Sequence, residues 1–251
     1  MSQSAIPPMV QPSLWTTVVF VAIVLSLAAA LVAAVARARP AGESAERHRR
    51  WVGGTVAGVV IWLAVTAAIA ESGVLEKQTL PPRVVLLIFS CIVVAAVAAL
   101  SPLGTRLIRS IPIAALIGFQ VFRLPLEIVL HQWWKEGVLP IQMTFAGRNF
   151  DIASGILALI IGLWGARRPL PRAAIVFFNL SGVALLITVG VIAMLSTPIP
   201  IRRFMNDPPV LLAFHAPYVW IVPFCVGGAL FGHMLVFRRV LADLRASRAS
   251  G

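Results

Sequence analysis

The sequence predicts an all-α integral membrane bundle of seven transmembrane helices, with the N-terminus outside and the C-terminus in the cytoplasm. Three observations support this fold class. Of the 251 residues, 59% are hydrophobic and 12% are charged, whereas soluble domains are about 25% charged. The apolar residues form seven runs that approach the roughly 20 residues needed to span a bilayer. Basic residues concentrate in alternate loops between those runs.

The spans follow one another with short connections. In chain order they are predicted at Trp15–Ala36, Trp51–Ala70, Arg83–Leu100, Ile111–His131, Asp151–Ala166, Ala173–Ser196 and Pro209–Phe237. The first span has no positively charged segment before it and no small-residue cleavage site before Arg37, so we expect a retained helix. The fifth is short, and we expect its ends to extend into flanking residues. The seventh is long, and Pro217 is expected to kink or restart it.

Local signals mark the ends and contacts of these spans. Tryptophans near the predicted ends resemble an interfacial belt, namely Trp15, Trp51, Trp133, Trp134, Trp164 and Trp220. Prolines precede or open spans three, six and seven, where a missing N–H costs little; they are Pro81, Pro82, Pro171, Pro208 and Pro209. Two glycine pairs, Gly54 with Gly58 and Gly228 with Gly232, have the spacing that lets helix backbones approach closely.

The basic loop residues predict the orientation. Fourteen lie on one side, at Arg37, Arg39, Arg47, Arg49, Arg50, Arg106, Arg109, Arg167, Arg168, Arg172, Arg238, Arg239, Arg245 and Arg248. Six lie on the other, at Lys77, Arg83, Lys135, Arg148, Arg202 and Arg203. The positive-inside rule then gives an outer N-terminal segment (1–14), a transmembrane domain (15–237) and a cytoplasmic basic tail (238–251). Topology also explains the net charge of +12 without nucleic acid, and we expect a bacterial inner (plasma) membrane.

The fourth span carries the most unusual residues. Gln120, Arg123, Glu127 and His131 are separated by three, four and four positions, so a helix places them within roughly 80° of one another. Arginine at such depth costs roughly 2.5–3.5 kcal/mol and indicates a functional site. We expect Arg123 and Glu127 to pair, because each charge would otherwise be buried alone. Pro125, between them, is expected to kink the helix.

Further polar residues extend this candidate site. The segment 132–150 is the longest loop and is expected to fold over the mouth of the fourth span. Asp151 is predicted to cap the fifth span, and His215 to approach His131 or Glu127. The predicted ligand or proton site therefore comprises Gln120, Arg123, Glu127, His131, Asp151 and His215. Asn179, Ser181 and His233 are predicted to form a second, weaker cluster nearer the cytoplasm.

One stretch carries a resemblance. Residues Phe122 to Ile152 read FRLPLEIVLHQWWKEGVLPIQMTFAGRNFDI, and this stretch resembles segments of bacterial multi-pass membrane proteins without assigned function, which implies no activity. Seven helices also invite comparison with microbial rhodopsins, which hold retinal on a lysine of the last helix. The lysines here are Lys77 and Lys135, both in predicted outer loops, so that resemblance fails.

Three classes of function remain. The first is transport of a small molecule, ion or proton, or ligand sensing, with Arg123 holding an anionic group and Glu127 exchanging a proton. The second is a membrane redox protein or enzyme with haem or a transition metal on His131 and His215. The third is a structural subunit. We predict no cofactor, and the sequence has no enzyme motif. Expected partners are the bilayer, a small polar or anionic ligand, and a second copy or membrane protein.

Overall fold

Helices make up most of the part of the protein that the structure describes. A computed structural model describes residues 6–77, 79 and 81–249, of which no residue is in a strand, and 75% of the structure is helix. Residues 1–5 of the predicted outer segment and 250–251 of the predicted tail lie outside these ranges. Six helices are long and apolar enough to cross a membrane. The prediction of a helical membrane bundle is confirmed at that level.

Nine α-helices follow one another along the described chain. They are α1 (Leu14–Arg37), α2 (Ala45–Glu71), α3 (Arg83–Leu100), α4 (Pro102–Ser110), α5 (Ile113–Gly118), α6 (Arg123–Lys135), α7 (Ile152–Gly165), α8 (Arg172–Ser196) and α9 (Gly227–Ala249). A 3₁₀ turn at Phe119–Phe122 joins α5 and α6 into one span, Ile113–Lys135. Short 3₁₀ turns also occur at Val74–Glu76, Ile141–Met143, Leu212–Phe214 and Tyr218–Ile221, and a π turn at Val222–Val226.

Side-chain caps and prolines begin several helices. The Ser44 hydroxyl accepts a hydrogen bond from the Arg47 amide at 3.2 Å, and the Ser101 hydroxyl accepts one from Leu103 at 3.1 Å. Each cap satisfies an amide that has no partner within the helix. Pro82 and Pro171 stand immediately before α3 and α8, as the sequence predicted, because the first helical turn does not need a proline's missing donor.

The last predicted span differs from the structure. Residues 209–226 form short 3₁₀ and π turns, and the regular helix α9 begins at Gly227. Pro217 restarts the span, as the sequence predicted, because the helical stretch that is long enough to cross a membrane begins at Tyr218 and continues to Arg248. Pro223 lies in the π turn within this stretch and removes a further backbone donor, so the regular α-helix begins only at Gly227. Helix α9 then continues to Ala249, so the predicted basic tail is a helical extension over its described residues.

Helix α7 is shorter than the other spans and begins part-way along the bundle. It runs antiparallel to α5 and α6, with Gly155 against Leu124, Gly162 against Gly118, and Gly165 against Ala114. This register puts the start of α7 level with Glu127, about 12 Å from the end of α6. The expected extension of the fifth span does not occur, because Pro169 and Pro171 follow its C-terminal end.

The contacts at one end of the bundle bring basic loops together. Arg106 of α4 binds the Glu43 carboxylate in the α1–α2 loop with nitrogen–oxygen distances of 2.7 and 2.5 Å. Arg238 of α9 donates to the Ala99 carbonyl and, at 2.8 Å, to the Thr105 hydroxyl. We call this the basic end. At the opposite end, the Glu136 carboxylate accepts from the Ser13 hydroxyl at 2.8 Å.

Candidate functional site

Arg123 opens helix α6 and is the centre of a buried polar network. The 3₁₀ turn at Phe119–Phe122 ends there, so the break in the span precedes Pro125 by one turn. Pro125 lies in the first turn of α6, where its missing N–H leaves no intrahelical bond unmade. The side chain of Arg123 is only 1% exposed, so its charge depends on partners within the protein.

Three other elements supply those partners. The Nη1 atom of Arg123 donates to Oδ1 of Asp151 at 2.7 Å and to the carbonyl oxygen of Gly182 at 3.4 Å. Its Nη2 atom lies 3.2 Å from Nε2 of His233. Arginine therefore links α6 to the start of α7, to α8 and to α9. Its Nε atom has no hydrogen-bond partner among the described residues.

The ion pair expected between Arg123 and Glu127 does not form. Glu127 is 1% exposed, and both of its carboxylate oxygens accept from Nδ2 of Asn149 at 2.9 Å. The guanidinium instead pairs with Asp151, which the fold brings from outside the helix. An arginine that precedes a glutamate by four residues is also the weaker order on a helix.

Asn149 fastens the long loop between α6 and α7 over this site. Besides Glu127, its Nδ2 atom donates to the Met143 carbonyl at 3.1 Å, and its Oδ1 accepts from the Asp151 amide at 3.0 Å. Because α7 begins level with Glu127, this irregular backbone lies at the depth of the helices. Irregular backbone at membrane depth is stable only when the protein supplies its hydrogen bonds, and Asn149 supplies several.

Asp151 occupies the N-cap position of α7, but its carboxylate does not cap the helix. The Oδ1 atom accepts from the Ser154 hydroxyl at 3.1 Å and from Arg123. The predicted capping role is therefore wrong for the side chain, although the position is correct. The carboxylate binds Arg123 instead of the backbone, because the buried positive charge of the arginine needs a negative partner.

Two members of the predicted second cluster, Asn179 and His233, are part of the same network, whereas the Ser181 hydroxyl donates to carbonyls of its own helix. Asn179 of α8 and His233 of α9 bind each other twice, through Nδ1 of His233 and Oδ1 of Asn179 at 2.8 Å and through the His233 carbonyl at 3.1 Å. A guanidinium only donates, so Nε2 of His233 accepts from Arg123 and the ring proton is assigned to Nδ1. This is the neutral tautomer of histidine.

A glycine makes room for this ring. A Cβ atom at Gly182 would lie 2.4 Å from Cε1 of His233, a separation that atoms do not tolerate. Gly182 also offers its carbonyl to Arg123. Helix α8 therefore contributes Gly182 together with Asn179, and no signal in the sequence singled out this glycine.

The other predicted site residues lie outside the Arg123 network. Gln120 is buried and donates to the Ala229 carbonyl at 2.9 Å. The ring of His131 stacks on Phe145, with centroids 4.4 Å apart. His215 lies before α9, where its amide donates to the Leu212 carbonyl at 3.4 Å. Among the described residues, no three His, Cys, Asp or Glu side chains form a group that could hold a metal ion.

A small cavity adjoins the network. It has a volume of about 120 Å³, and Arg123, Glu127 and Asp151 contribute to its wall. The rest of its wall is mostly apolar and includes Cys225 and Ala229. A space of this size holds a few water molecules or a small ion.

Comparison of the chain with protein-family models, curated proteins and solved structures found no match.

The network contains one arginine and two carboxylic acids, and all three are buried. With the histidine neutral, full ionisation would leave one negative charge without a compensating positive charge. Burying such a charge is costly unless it takes a proton or a counter-ion. Glu127 is the acid without a cationic hydrogen-bond partner. The arrangement can therefore exchange a proton, or accept a small cation, at Glu127.

Proposed function

We propose that this protein is a multi-pass inner-membrane protein that binds a small polar ligand or ion beside Arg123 and transports or senses it, with Glu127 exchanging a proton. The observation that carries the proposal is the second buried carboxylate, which lacks a cation and borders a cavity. A charge-bearing group inside a membrane domain is expensive to keep and indicates function.

Asn149 couples the protonation of Glu127 to the position of Asp151, the partner of Arg123. Its amide nitrogen donates to Glu127 while its amide oxygen holds the backbone of Asp151, the counter-ion of Arg123. A protonated Glu127 is a poorer acceptor for Asn149. Protonation therefore loosens Asn149 and, through it, the position of Asp151. The arginine is then free to engage an anionic group.

The short helix α7 supports a ligand site at this depth. Transporters commonly bind substrate where a helix is broken near the middle of the membrane and its end faces the ligand. Here the first residues of α7 face Arg123 within the bundle. This support comes from a general pattern of membrane proteins and identifies no substrate.

The proposal includes seven crossings and an N-terminus outside. Helix α7 and the segment that precedes it together extend from one end of the bundle to the other. The basic end would then face the cytoplasm, as the positive-inside rule requires. Basic loops after α1, after α3 and in α9 meet at that end through Glu43, Arg106 and Arg238.

Infrared difference spectroscopy of the purified protein tests the proton site. We expect a carboxylic acid C=O band that titrates with pH in the wild type, persists in Glu76→Gln and is missing in Glu127→Gln. Glu76 is exposed in a turn, which makes its substitution a matched control. A Glu127 band that does not change with pH, in a folded protein, would contradict the proposal.

Transport and sensing are separated by two further measurements. Proteoliposomes with an imposed potential report proton flux, which Glu127→Gln should abolish if the protein transports. Native mass spectrometry of the protein in mild detergent reports a retained small molecule, which Arg123→Gln should release. A visible absorption spectrum tests the alternative of haem or a transition metal on His131 and His215.

A structural subunit is the second candidate. It is favoured because both terminal nitrogens of Arg123 already have partners in three elements. Under this alternative the network specifies the arrangement of helices without binding anything. Glu127 would then keep a single protonation state, and a partner protein would copurify with the wild type and with Glu127→Gln alike.

A further inference from the structure

Helix α2 is attached to the rest of the protein mainly at its two ends. At the basic end, Arg106 binds Glu43 just before α2 and lies over the ring of Trp51, 5.4 Å from its centroid. At the opposite end, Nε1 of Trp220 donates to the Leu63 carbonyl at 3.0 Å, and the Ala216 amide donates to Glu71 at 3.1 Å. Only 6% of the most apolar stretch of α2 is buried.

Between these attachments α2 stands away from the bundle and leaves an apolar groove. The groove has a volume of about 920 Å³ and is lined by α1, α2, α3, α4, α5 and α9. On α2, a Cβ atom at Gly54 or Gly58 would meet nothing within 4 Å. The sequence predicted that these glycines bring two helices together, but they open onto the groove instead.

The groove has a charge at one end only. Arg37, at the end of α1, and Arg50, near the start of α2, both line it at the basic end. No aspartate or glutamate contributes to its described wall. Arg50 pairs with Glu46 at 2.5 Å, but both side chains are largely exposed, and exposed pairs of this kind exchange partners at little cost.

An unfilled groove of this size is not a stable state. Protein interiors pack as densely as organic crystals, and apolar cavities do not hold water. Within a bilayer, the molecules that fit an apolar groove with a cationic end are lipids with anionic head groups.

We propose that the groove binds an anionic bilayer lipid, with its chains along Gly54 and Gly58 and its phosphate beside Arg37 and Arg50. This site is separate from the polar network, so the test of the lipid site and the test of the proton site have independent outcomes. The arginines discriminate between head groups, and the glycines make room for the chains. The bound lipid would fill the space that α2 leaves against the bundle between its two sets of contacts.

Native mass spectrometry tests this directly. The wild type and its variants are reconstituted in vesicles of phosphatidylglycerol and phosphatidylcholine in equal amounts, and the lipids retained after mild extraction are counted. We expect the wild type to retain phosphatidylglycerol preferentially. Arg37→Gln with Arg50→Gln should reduce that preference by about fivefold for each arginine. Gly58→Leu should reduce retention of both lipids.

A matched control distinguishes the effect of the groove arginines from the effect of positive charge at this end in general. Arg245→Gln with Arg248→Gln removes the same charge at the same end, from exposed positions of α9 outside the groove, and should leave the preference unchanged. Equal retention of the two lipids by the wild type would overturn the proposal, as would an unchanged preference in the Arg37 and Arg50 variant. A copurifying protein that displaces lipid from the wild type would also overturn it.

Discussion

Arg123 and Asp151 form a buried ion pair, and their coupling can be measured. Removing one member leaves the other charge buried alone, so Arg123→Gln and Asp151→Asn should each destabilise the protein by about 3–5 kcal/mol. The double variant should cost much less than the sum of the two, because neither charge is left alone. Unfolding in detergent mixtures, followed by circular dichroism, gives these free energies.

A double-mutant cycle of Arg123 with Glu127 distinguishes the observed partner of the arginine, Asp151, from Glu127, the partner that the helix spacing predicted. Arg123→Gln combined with Glu127→Gln should show a smaller coupling than the pair with Asp151, because Glu127 binds Asn149. Exposed Arg109 serves as the control, and its change to glutamine should alter stability by less than about 0.5 kcal/mol. A larger coupling with Glu127 than with Asp151 would contradict the geometry described here.

Gly182 gives a second prediction, with a control in its own helix. A methyl group there would displace His233, whose Cε1 atom lies 2.4 Å from the added carbon position, so Gly182→Ala should lower the thermal midpoint. Gly190→Ala, also in α8, meets nothing within 4 Å. That variant should be neutral or stabilising by about 0.5–1 kcal/mol, because alanine favours the helix. Equal effects at the two glycines would show that the His233 contact is unimportant.

Spacing along one helix predicted the buried face but not the partners. Gln120, Arg123 and Glu127 are all buried on the predicted helix, since a shared face follows from periodicity alone. The atoms that bind Arg123 come from Asp151, Gly182 and His233, on three other elements. Which rotamer an arginine adopts depends on tertiary contacts, so a single sequence cannot choose between Glu127 and Asp151.

The α1–α2 loop should respond to acid. The hydrogen bond from Arg106 lowers the pKa of the Glu43 carboxyl below its ordinary value of 4.5; burial opposes this shift, and the charges of Arg106 and His48 reinforce it. A lowered folded-state pKa stabilises the attachment above pH 4.5, and that stabilisation is lost as the pH falls through the folded value. Because the intrinsic rate of amide exchange itself falls as the pH is lowered, the quantity to compare is the protection factor. The protection factors of residues 38–50 should therefore fall at acid pH.

Substitution of Glu43 tests whether its carboxyl causes the pH response of the loop. In Glu43→Gln the protection factors of this loop should already be lower than in the wild type at neutral pH and should change little on acidification. Glu76→Gln, in an exposed turn, should behave like the wild type. If the Glu43→Gln loop kept the pH response of the wild type, the Glu43 carboxyl would not be its cause and the prediction would be wrong.

Helix boundaries were predictable wherever a long apolar run was uninterrupted. The predicted third span coincides with α3, and the first and sixth lie within one residue of α1 and α8 at each end. In the last predicted span, 209–237, the helical stretch starts directly after Pro217, as predicted, and runs over Tyr218–Arg248; residues 209–217 lie outside that stretch. The glycines of α2 were misread, since small residues permit a close helix contact but do not require one.

At the scale of the whole molecule, the two ends of the bundle differ in charge, and the polar network lies between them. Contacts such as Arg106 with Glu43 keep basic loops at one end. The long loop enters from the opposite end, descends to the level of Glu127 and is held there by Asn149. The apolar runs indicated the membrane domain, whereas the depth of this loop depends on side-chain bonds that periodicity cannot reveal.

Accessibility measurements decide whether α7 and the segment before it cross the membrane. Cysteines at Arg148, Arg168 and Arg245 are labelled in intact cells with a maleimide that cannot cross membranes. Native Cys91 and Cys225 are buried and should react slowly. If α7 and its preceding segment cross the bilayer, Arg148→Cys reacts from outside, while Arg168→Cys and Arg245→Cys react only after permeabilisation. If they do not cross, all three positions lie on one side, because α8 and α9 together return the chain to the side from which α8 begins. The same experiment determines which side the basic end faces, since Arg245 belongs to that end.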